Sequence, residues 1–222
     1  MTAKKAASTE LRRYTDIMSV IDMLVHKRVV LVSPRHWDDQ NDAEFFKVYA
    51  QRKEIWGALA LCLANSAETY HHWKIFAGSN AGACIVFNKL KFEKFIRTVR
   101  GIRYGKVRYH TNSAFMSMRP VATDSIPFYK RAAFSAEKEF RLIYDCDVYE
   151  QTTQDVAIDL EIVERIVLNP WAPRSVCLSV RSALRQIEGC DKISVLQSAL
   201  INNGTWQSNV QEDDGVTIDE VL

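Results

Sequence analysis

Short apolar runs and amphipathic helical segments follow one another along this chain in no regular order. Residues 29–32, 83–87 and 162–168 are apolar runs rich in Val and Ile, which is typical of strands. Residues 17–25 and 89–100 carry apolar side chains at helical spacing, which predicts helices. Because the two kinds of segment do not alternate as regular strand–helix–strand units, we expect an α+β fold whose mixed or antiparallel sheet has helices packed against it.

A single domain is expected, because nothing in the sequence marks a domain boundary. The 222 residues include only 8 glycines and 5 prolines, and they contain no linker, low-complexity tract or internal repeat. A chain of this length buries enough surface to fold without disulfides or structural metals. We predict a disordered lead-in over residues 1–10, one domain over residues 11–204, and a polar, acidic tail over residues 205–222.

The sequence also predicts secondary structure for the segments between these elements. The pattern predicts a long helix over residues 43–58, one strand over residues 102–109, and a loop over residues 111–127. Residues 128–134 are expected to form a short helix. Residues 59–63 fit either a continued helix or a buried strand, because periodicity does not distinguish the two.

The composition argues against several classes of protein. The five cysteines are scattered among apolar neighbours without a Cys-x-x-Cys pair, so we expect buried, reduced thiols and no metal site. No apolar run approaches the roughly 18 residues of a membrane helix, and no apolar segment follows the polar N-terminus as in a signal peptide. These features predict a cytoplasmic protein that does not bind membranes. The formal net charge of +2 gives no argument for nucleic acid by itself.

Two glutamates stand two positions apart at the start of a predicted strand. Glu137 and Glu139 lead into residues 140–144, which are apolar except for Arg141, and side chains two apart in a strand share a face. One pKa of such a carboxylate pair rises. The pair can stabilise a cationic transition state and polarise a sugar hydroxyl, so both are candidate catalytic residues. The alternative is an exposed strand edge with weak glutamate–arginine pairing.

A second candidate lies at residues 12–15, just before the first helix. An arginine, an aromatic ring and a hydroxyl at such a junction could bind a phosphate or a nicotinamide, aided by helix N-terminal amides. The alternative is a basic lead-in in which Thr15 caps the helix. His71 and His72 are less informative, since neighbours on a helix diverge by roughly 100° and cannot chelate one metal together. They could instead fill the core or the surface, or one could face a cleft.

A third candidate site is a basic segment. No acidic residue occurs from Lys94 to Thr123, and tyrosines lie nearby, which is compatible with a nucleic-acid or phosphate patch. The alternative is a solvated helix surface. The residues that this interpretation assigns to nucleic acid are Arg97, Arg100, Arg103, Lys106 and Arg108.

A fourth candidate is an acidic loop. Carboxylate oxygens are suitable ligands for a divalent cation, and they would make a metal-dependent nuclease possible. Loop carboxylates are more often simply solvated. The residues concerned are Asp38, Asp39, Asp42 and Glu44.

The order of segments resembles the AbiGi-like family of uncharacterised bacterial domains, which are often linked to abortive infection and phage resistance. The similar segments are residues 13–15, residues 30–34, the loop at residues 37–44, residues 73–77, residues 82–87, and Lys130 with residues 137–141. The resemblance spans about residues 11–190. It departs at Ala43, where the family has a proline after the Asn-Asp pair. The family implies a link to bacterial defence and no particular activity.

The chain is also similar to ADP-ribosyltransferase domains, which begin with a short strand, a helix and a strand and carry a Glu-x-Glu pair near a later strand. This resemblance implies that NAD is the substrate and that an unknown macromolecule is the target. An aromatic ring, Trp73 or Tyr109, would stack on nicotinamide. The cofactor-binding residues that it implies are Arg13, Tyr14, Thr15, Trp73 and Arg141, and the catalytic residues are Glu139 and Glu137.

Three functions stay open at this point. The first is an ADP-ribosyltransferase-like effector that uses NAD, acting as a toxin in anti-phage defence. The second is a non-enzymatic defence module that binds nucleic acid or a partner protein, and the third is a metal-dependent nuclease. The first requires residues 13–15 and the two glutamates to face one another across a shared cleft.

Overall fold

The computed structural model describes residues 8–211 of the chain. The strands are β1 (Glu10–Asp16), β2 (Arg28–Val32), β3 (Gly57–Ala64), β4 (Gly82–Asn88), β5 (Ile102–Lys106), β6 (Arg108–His110), β7 (Tyr129–Arg131), β8 (Glu139–Cys146), β9 (Thr153–Ala157), β10 (Val163–Leu168) and β11 (Ser194–Gln197). The α-helices are α1 (Ile17–His26), α2 (Gln40–Lys53), α3 (Tyr70–Phe76), α4 (Lys89–Ile96), α5 (Asn112–Met116), α6 (Arg174–Arg185) and α7 (Gly204–Gln211). Short 3-10 helices occupy Pro34–His36, Thr123–Phe128, Ala132–Glu137 and Leu160–Ile162.

Nine of these strands form one mixed sheet, which confirms the predicted α+β fold of a single domain. The order is β11-β10-β4-β1-β3-β2-β9, and β8 joins β3 on one side and β5 on the other. The pair β10–β11 is parallel and the other pairs of this sheet are antiparallel. A second, small sheet pairs β6 with β7 in parallel.

The sheet divides near its centre, and this division positions the site. Strand β3 pairs with β8 along its whole length. On its other edge β3 meets β1 through the pair Arg12 and Ala64, and it meets β2 through the pair Val32 and Ala60. The edge of β3 between Ala60 and Ala64 therefore opens into a gap, which β1, α1 and β2 frame as one continuous segment.

Helix boundaries around this gap follow from local capping. Asp16 caps α1 by accepting a hydrogen bond from the Ser19 backbone N–H at 2.9 Å, which ends β1 beside the gap. Asp39 caps α2 in the same way through the Asn41 N–H. The buried face of α2 includes Asp42 and Phe46, so the first turn of this helix delivers a carboxylate to the protein interior.

Several predicted boundaries need correction. The helix predicted over residues 43–58 ends at Lys53, and the ambiguous residues 59–63 belong to strand β3. Residues 128–134 form β7 and part of a 3-10 helix rather than an α-helix, and residues 102–109 form two strands. The loop predicted at residues 111–127 contains α5 and most of a 3-10 helix. Strand β9 is too polar for an apolar pattern to predict it.

The two chain ends lie partly outside the described residues. Of the predicted disordered lead-in, residues 1–7 lie outside them, and Glu10 is the first residue of β1. Of the predicted acidic tail, residues 212–222 lie outside them, and the helix α7 occupies residues 204–211. Among the described residues, no helix has the length and apolar character needed to cross a bilayer.

Candidate functional site

A cleft of about 600 Å³ lies where the sheet divides. Its floor is residues 60–64 of β3, one wall is residues 12–15 of β1, and α3 forms part of the rim. The opposite wall comes from β7, the 3-10 helix Ala132–Glu137 and the start of β8. The side chains from this opposite wall are Lys130, Ala133, Phe134, Glu137 and Glu139. The cleft therefore brings together the two separate groups of residues that the sequence suggested.

Small side chains on β3 leave the space for this cleft. Ala60, Cys62 and Ala64 alternate along the strand and so share one face. Across the pairing with β8, Cys62 is opposite Arg141 and Ala64 is opposite Glu139. Small residues opposite long charged ones let the charged side chains stand above the sheet.

Arg141 organises the charged wall from a fully buried position. Its guanidinium forms a bidentate pair with Asp42 of α2, with Nη1–Oδ1 at 2.9 Å and Nη2–Oδ2 at 2.7 Å. The same group donates to Oε2 of Glu139 at 3.0 and 2.7 Å and to the Pro127 carbonyl at 2.8 Å. Such forked contacts are strong and directional, so Arg141 fixes the orientation of the Glu139 carboxylate.

Lys130 joins the two glutamates. Its Nζ donates to Oε2 of Glu137 at 2.6 Å and to Oε1 of Glu139 at 2.8 Å, and lies 3.6 Å from Oδ2 of Asp42. The side chain is only 9% exposed, so water screens these contacts weakly. Both oxygens of Glu139 are therefore held by cations, whereas Glu137 receives one such bond.

This difference separates the two carboxyl groups chemically. Burial raises the pKa of Glu137 to about 7, assisted by its hydrogen bond with Glu139 and opposed by Lys130. Burial would also raise the pKa of Glu139, but the charges of Arg141 and Lys130 outweigh it and hold that pKa well below its ordinary value. Glu139 is thus a fixed carboxylate, and Glu137 is the member that exchanges a proton near neutrality.

The β1 wall presents a different kind of charge. Arg12 is satisfied by the protein itself, since it donates to the Ser66 carbonyl and pairs with Glu10. The side chain of Arg13 lines the cleft but makes no hydrogen bond or ion pair with the residues at 8–211. Burial lowers the pKa of Arg13, because the charged form loses water without gaining a partner.

Tyr14 lies between the β1 wall and α3. Its ring stacks on His72, with centroids 5.2 Å apart and an angle of 11° between the planes, and meets Trp73 edge-on at 5.2 Å. Tyr14 and Thr15 both line the cleft. The predicted residues of β1 thus reach the cleft as a group.

Trp73 and Arg141 do not reach the cleft, which corrects their assignment as cofactor-binding residues. Trp73 is 0% exposed and packs against Tyr14 in a cluster of buried apolar side chains, and its Nε1 donates to Glu68. Arg141 is also 0% exposed and its donors are taken by protein groups. Tyr109 does not line the cleft either, and its hydroxyl accepts the Glu139 backbone N–H at 2.9 Å.

The basic segment does not form one patch. Arg103 points to the α2 side of the sheet, where it contacts Tyr49, Asp145 and Asp124. Its neighbour Tyr104 points to the other side and accepts from Arg97 at 3.1 Å. The residues predicted to bind nucleic acid are therefore divided: Arg97, Arg100 and Lys106 are exposed, Arg108 lies over the Tyr129 ring at 4.3 Å, and Arg103 is paired.

The acidic loop does not form a metal site. Asp39 caps α2, Asp42 is neutralised by Arg141, and Glu44 lies on the surface near Lys47. Asp38 is exposed. Across residues 8–211 no group of three or more His, Cys, Asp or Glu side chains could hold a metal ion. The four acidic residues therefore do not form the metal site that the nuclease hypothesis requires of them.

Three residues of the site were missed or misassigned by sequence reasoning. Lys130 belongs to one of the similar segments but received no role, and Asp42 was assigned to a metal. His72 was not placed in the site. A charged residue inside an apolar strand, such as Arg141, was the one available signal of a buried ionic cluster, because such a residue needs partners from elsewhere.

Comparisons with known proteins add the following findings. A family model described as "Protein of unknown function (DUF2971)" matches residues 72–142, which include Lys130 and Arg141. No curated protein matches the chain. The family model does not confirm the resemblance to the AbiGi-like family, which stays a prediction.

Among solved structures, the chain resembles DarT of Thermus sp. 2.9. The complex with NAD+ has 12% identity and a TM-score of 0.46, with 86% of this chain and 96% of that chain covered. The complex with ADP-ribosylated ssDNA has 12% identity and a TM-score of 0.46, with 89% and 98% covered. The complex with carba-NAD+ has 13% identity and a TM-score of 0.45, with 86% and 96% covered. A likeness at this level does not assign an activity to the chain.

Proposed function

We propose that the cleft binds NAD+ and that the protein transfers the ADP-ribosyl group of NAD+ to an acceptor. The observation that carries this proposal is the charge distribution along the cleft. One wall offers Arg13, which pairs with no acid among residues 8–211. The opposite wall holds three acids against two cations. NAD+ has matching polarity, because its pyrophosphate is anionic and its nicotinamide ring is cationic.

Arg13 is suited to the pyrophosphate. A guanidinium offers several N–H donors in a plane and binds phosphate oxygens in pairs. Burial outweighs the more distant charge of Asp16, and Arg13 forms no ion pair among residues 8–211, so an anionic ligand would replace the water it has lost. Thr15, two residues further along β1, adds a hydroxyl on the same wall.

The wall that carries Glu137 and Glu139 is suited to bind the nicotinamide ribose. In the proposed reaction the bond between ribose C1′ and the nicotinamide nitrogen breaks, and nicotinamide leaves with the bonding electron pair. Positive charge develops at C1′ and the ring oxygen, and an ionised carboxylate held nearby stabilises it. Glu139 suits this role, because it is ionised and both of its carboxylate oxygens are held by cations.

The second half of the reaction needs a proton acceptor. The acceptor's oxygen or nitrogen forms a bond to C1′ and releases a proton. Glu137, whose pKa burial raises to about 7, can take this proton in its ionised form. We further propose that the acceptor is a macromolecule and that the reaction serves a bacterial defence role, as a toxin that acts in the cytoplasm.

The test is nicotinamide release from NAD+ by the purified chain and by two glutamine variants. We expect wild type to release nicotinamide and Glu137→Gln to lose most of that activity, by about 100-fold or more. Glu137→Gln is a better test than Glu139→Gln, because Glu139 neutralises two buried cations and its loss would also weaken folding. The matched control is Glu161→Gln, an exposed glutamate that does not line the cleft.

Radiolabelled NAD+ identifies the acceptor class in the same experiment. Label transferred to single-stranded DNA or to protein, and lost in Glu137→Gln, supports the proposal. Expression in a bacterial host should slow growth with wild type and not with Glu137→Gln. If wild type neither binds NAD+ nor releases nicotinamide with any acceptor, the proposal is wrong.

A further inference from the structure

His72 is buried at the junction of the two walls of the cleft, and its hydrogen bonds fix its chemical form. Its Nε2 lies 2.9 Å from the Glu137 carbonyl oxygen, which can only accept, so Nε2 carries the hydrogen. Its Nδ1 therefore accepts from the Thr69 hydroxyl at 2.6 Å. The Thr69 oxygen in turn accepts the His72 backbone N–H at 3.2 Å. Burial lowers the pKa of His72, which agrees with this neutral form.

The same ring contacts the opposite wall. It stacks nearly parallel on Tyr14 of β1, with 5.2 Å between centroids. One side chain of α3 thus touches the strand that carries Arg13 and also holds the backbone that carries Glu137. Both contacts are made by a residue that is 1% exposed, so they are well shielded from water.

The backbone held by His72 is a turn that sets the two glutamates. Lys138 lies between them in the left-handed region, with φ of 47°. His72 holds the carbonyl before this residue, and the Asn65 backbone N–H holds the carbonyl of Lys138 at 2.8 Å. A non-glycine residue in this conformation is strained and persists when neighbouring contacts fix it. These two bonds therefore fix where Glu137 stands relative to Glu139.

We propose that His72 is a positioning residue, which holds the Glu137 carboxyl at a set distance from the Arg13–Tyr14 wall. The expected effect of His72 on catalysis rests on the proposed function. Its effect on the position of the Glu137 carboxyl does not. A side chain that merely filled the core would need no donor at Nε2. A ring without that donor would leave a buried carbonyl unpaired and free the turn to move.

The experiment compares His72→Phe with His72→Gln. Phenylalanine keeps a ring for Tyr14 and removes the donor, whereas glutamine keeps an N–H donor at the corresponding position. For nicotinamide release we expect His72→Phe to lower kcat by about 10-fold, since small misplacements of reacting groups cost that much or more. KM for NAD+ should stay within about twofold, because Arg13 is untouched. His72→Gln should retain kcat within about threefold of wild type.

A second readout does not depend on activity. Carboxyl ¹³C NMR of the ligand-free protein follows the titration of Glu137, which faces Lys130 and Glu139. We expect its midpoint to move by about half a unit or more in His72→Phe and to stay near wild type in His72→Gln. If wild type shows no NAD+ turnover, the proposed function fails, and this titration still decides the role of His72.

Two results would overturn the inference. One is a Glu137 titration and a kcat that do not change in His72→Phe. The other is an equal loss in His72→Phe and His72→Gln, which would show that shape rather than the Nε2 donor matters.

Discussion

The two walls of the cleft use charge in opposite ways. On the β8 side each charged group touches a group of opposite sign and is nearly buried; these residues are Asp42, Lys130, Glu137, Glu139 and Arg141. On the β1 side, Arg13 faces the cleft without a partner among the described residues. The difference indicates two tasks. The β8 wall orders its carboxylates through contacts within the protein. Under the proposed function, the partner of Arg13 is the bound ligand.

The largest effect on stability is expected from removing the ion pairs of Arg141 on the β8 side of the cleft. Arg141→Met should lower the free energy of unfolding by about 3–5 kcal/mol, because Asp42 and Glu139 would be left as buried charges without their partner. Urea denaturation measures this change. The matched control is Arg131→Met on an exposed arginine of β7, which should leave the urea midpoint unchanged. An Arg141→Met variant as stable as the control would refute the account of this wall.

The second effect separates binding from stability. Arg13→Gln should weaken NAD+ binding by about 10- to 100-fold, which corresponds to the loss of charged hydrogen bonds to phosphate. Its unfolding free energy should change by less than about 0.5 kcal/mol, because no hydrogen-bond or ion-pair partner in the described part of the chain loses a contact. Calorimetric titration and urea denaturation measure the two quantities. Unchanged NAD+ affinity would remove Arg13 from the site.

A third effect concerns pH. The pKa of Glu137 is raised to about 7 in the folded chain from an ordinary value of 4.5, so between these values the folded state holds a proton that the unfolded state has lost. Stability due to Glu137 therefore falls as pH rises through this window, by about 1–3 kcal/mol in total. Glu137→Gln removes this dependence. Thermal unfolding of both proteins from pH 4.5 to 8 tests it, and parallel curves would contradict it.

The smallest effect is expected on the basic segment outside the cleft. Arg97→Gln and Lys106→Gln remove exposed charges that do not line the cleft. NAD+ affinity should stay within about twofold of wild type at moderate salt, because exposed distant charges are screened. A loss comparable to that of Arg13→Gln would place the ligand elsewhere.

The sequence predicted those parts of the fold that local patterns determine. The strand at residues 83–87 follows from an apolar, β-branched run, and the helix at residues 17–25 follows from apolar side chains at helical spacing; the structure has both. Thr153–Ala157 was missed, because its pairing with β2 rather than its own apolar pattern makes it a strand. The helix predicted at residues 128–134 was wrong, because residues 129–131 form a strand through pairing with residues 108–110, which the local sequence does not show.

The sequence allowed the site to be predicted only where its residues lie close together along the chain. Glu137 and Glu139 were expected to share a face of one strand, but Glu137 ends a 3-10 helix and Glu139 begins β8. The turn at Lys138, rather than strand alternation, brings the two carboxyl groups together. Residues 12–15 belong to one strand, as expected. The partner of Arg141 is Asp42, 99 residues away, and no local rule relates the two. Burial also could not be inferred from residue type, so Trp73 was taken for a ligand-stacking ring although it lies 0% exposed.

The central claim is that the cleft recognises a ligand with a cationic ring at one end and an anionic pyrophosphate. The most direct test compares the dissociation constants of NAD+ and NADH at pH 8, because reduction removes the ring charge and keeps the pyrophosphate. We predict that NAD+ binds about 5- to 30-fold more tightly than NADH and that Glu137→Gln narrows this ratio. Equal affinities, or tighter binding of NADH, would contradict the account.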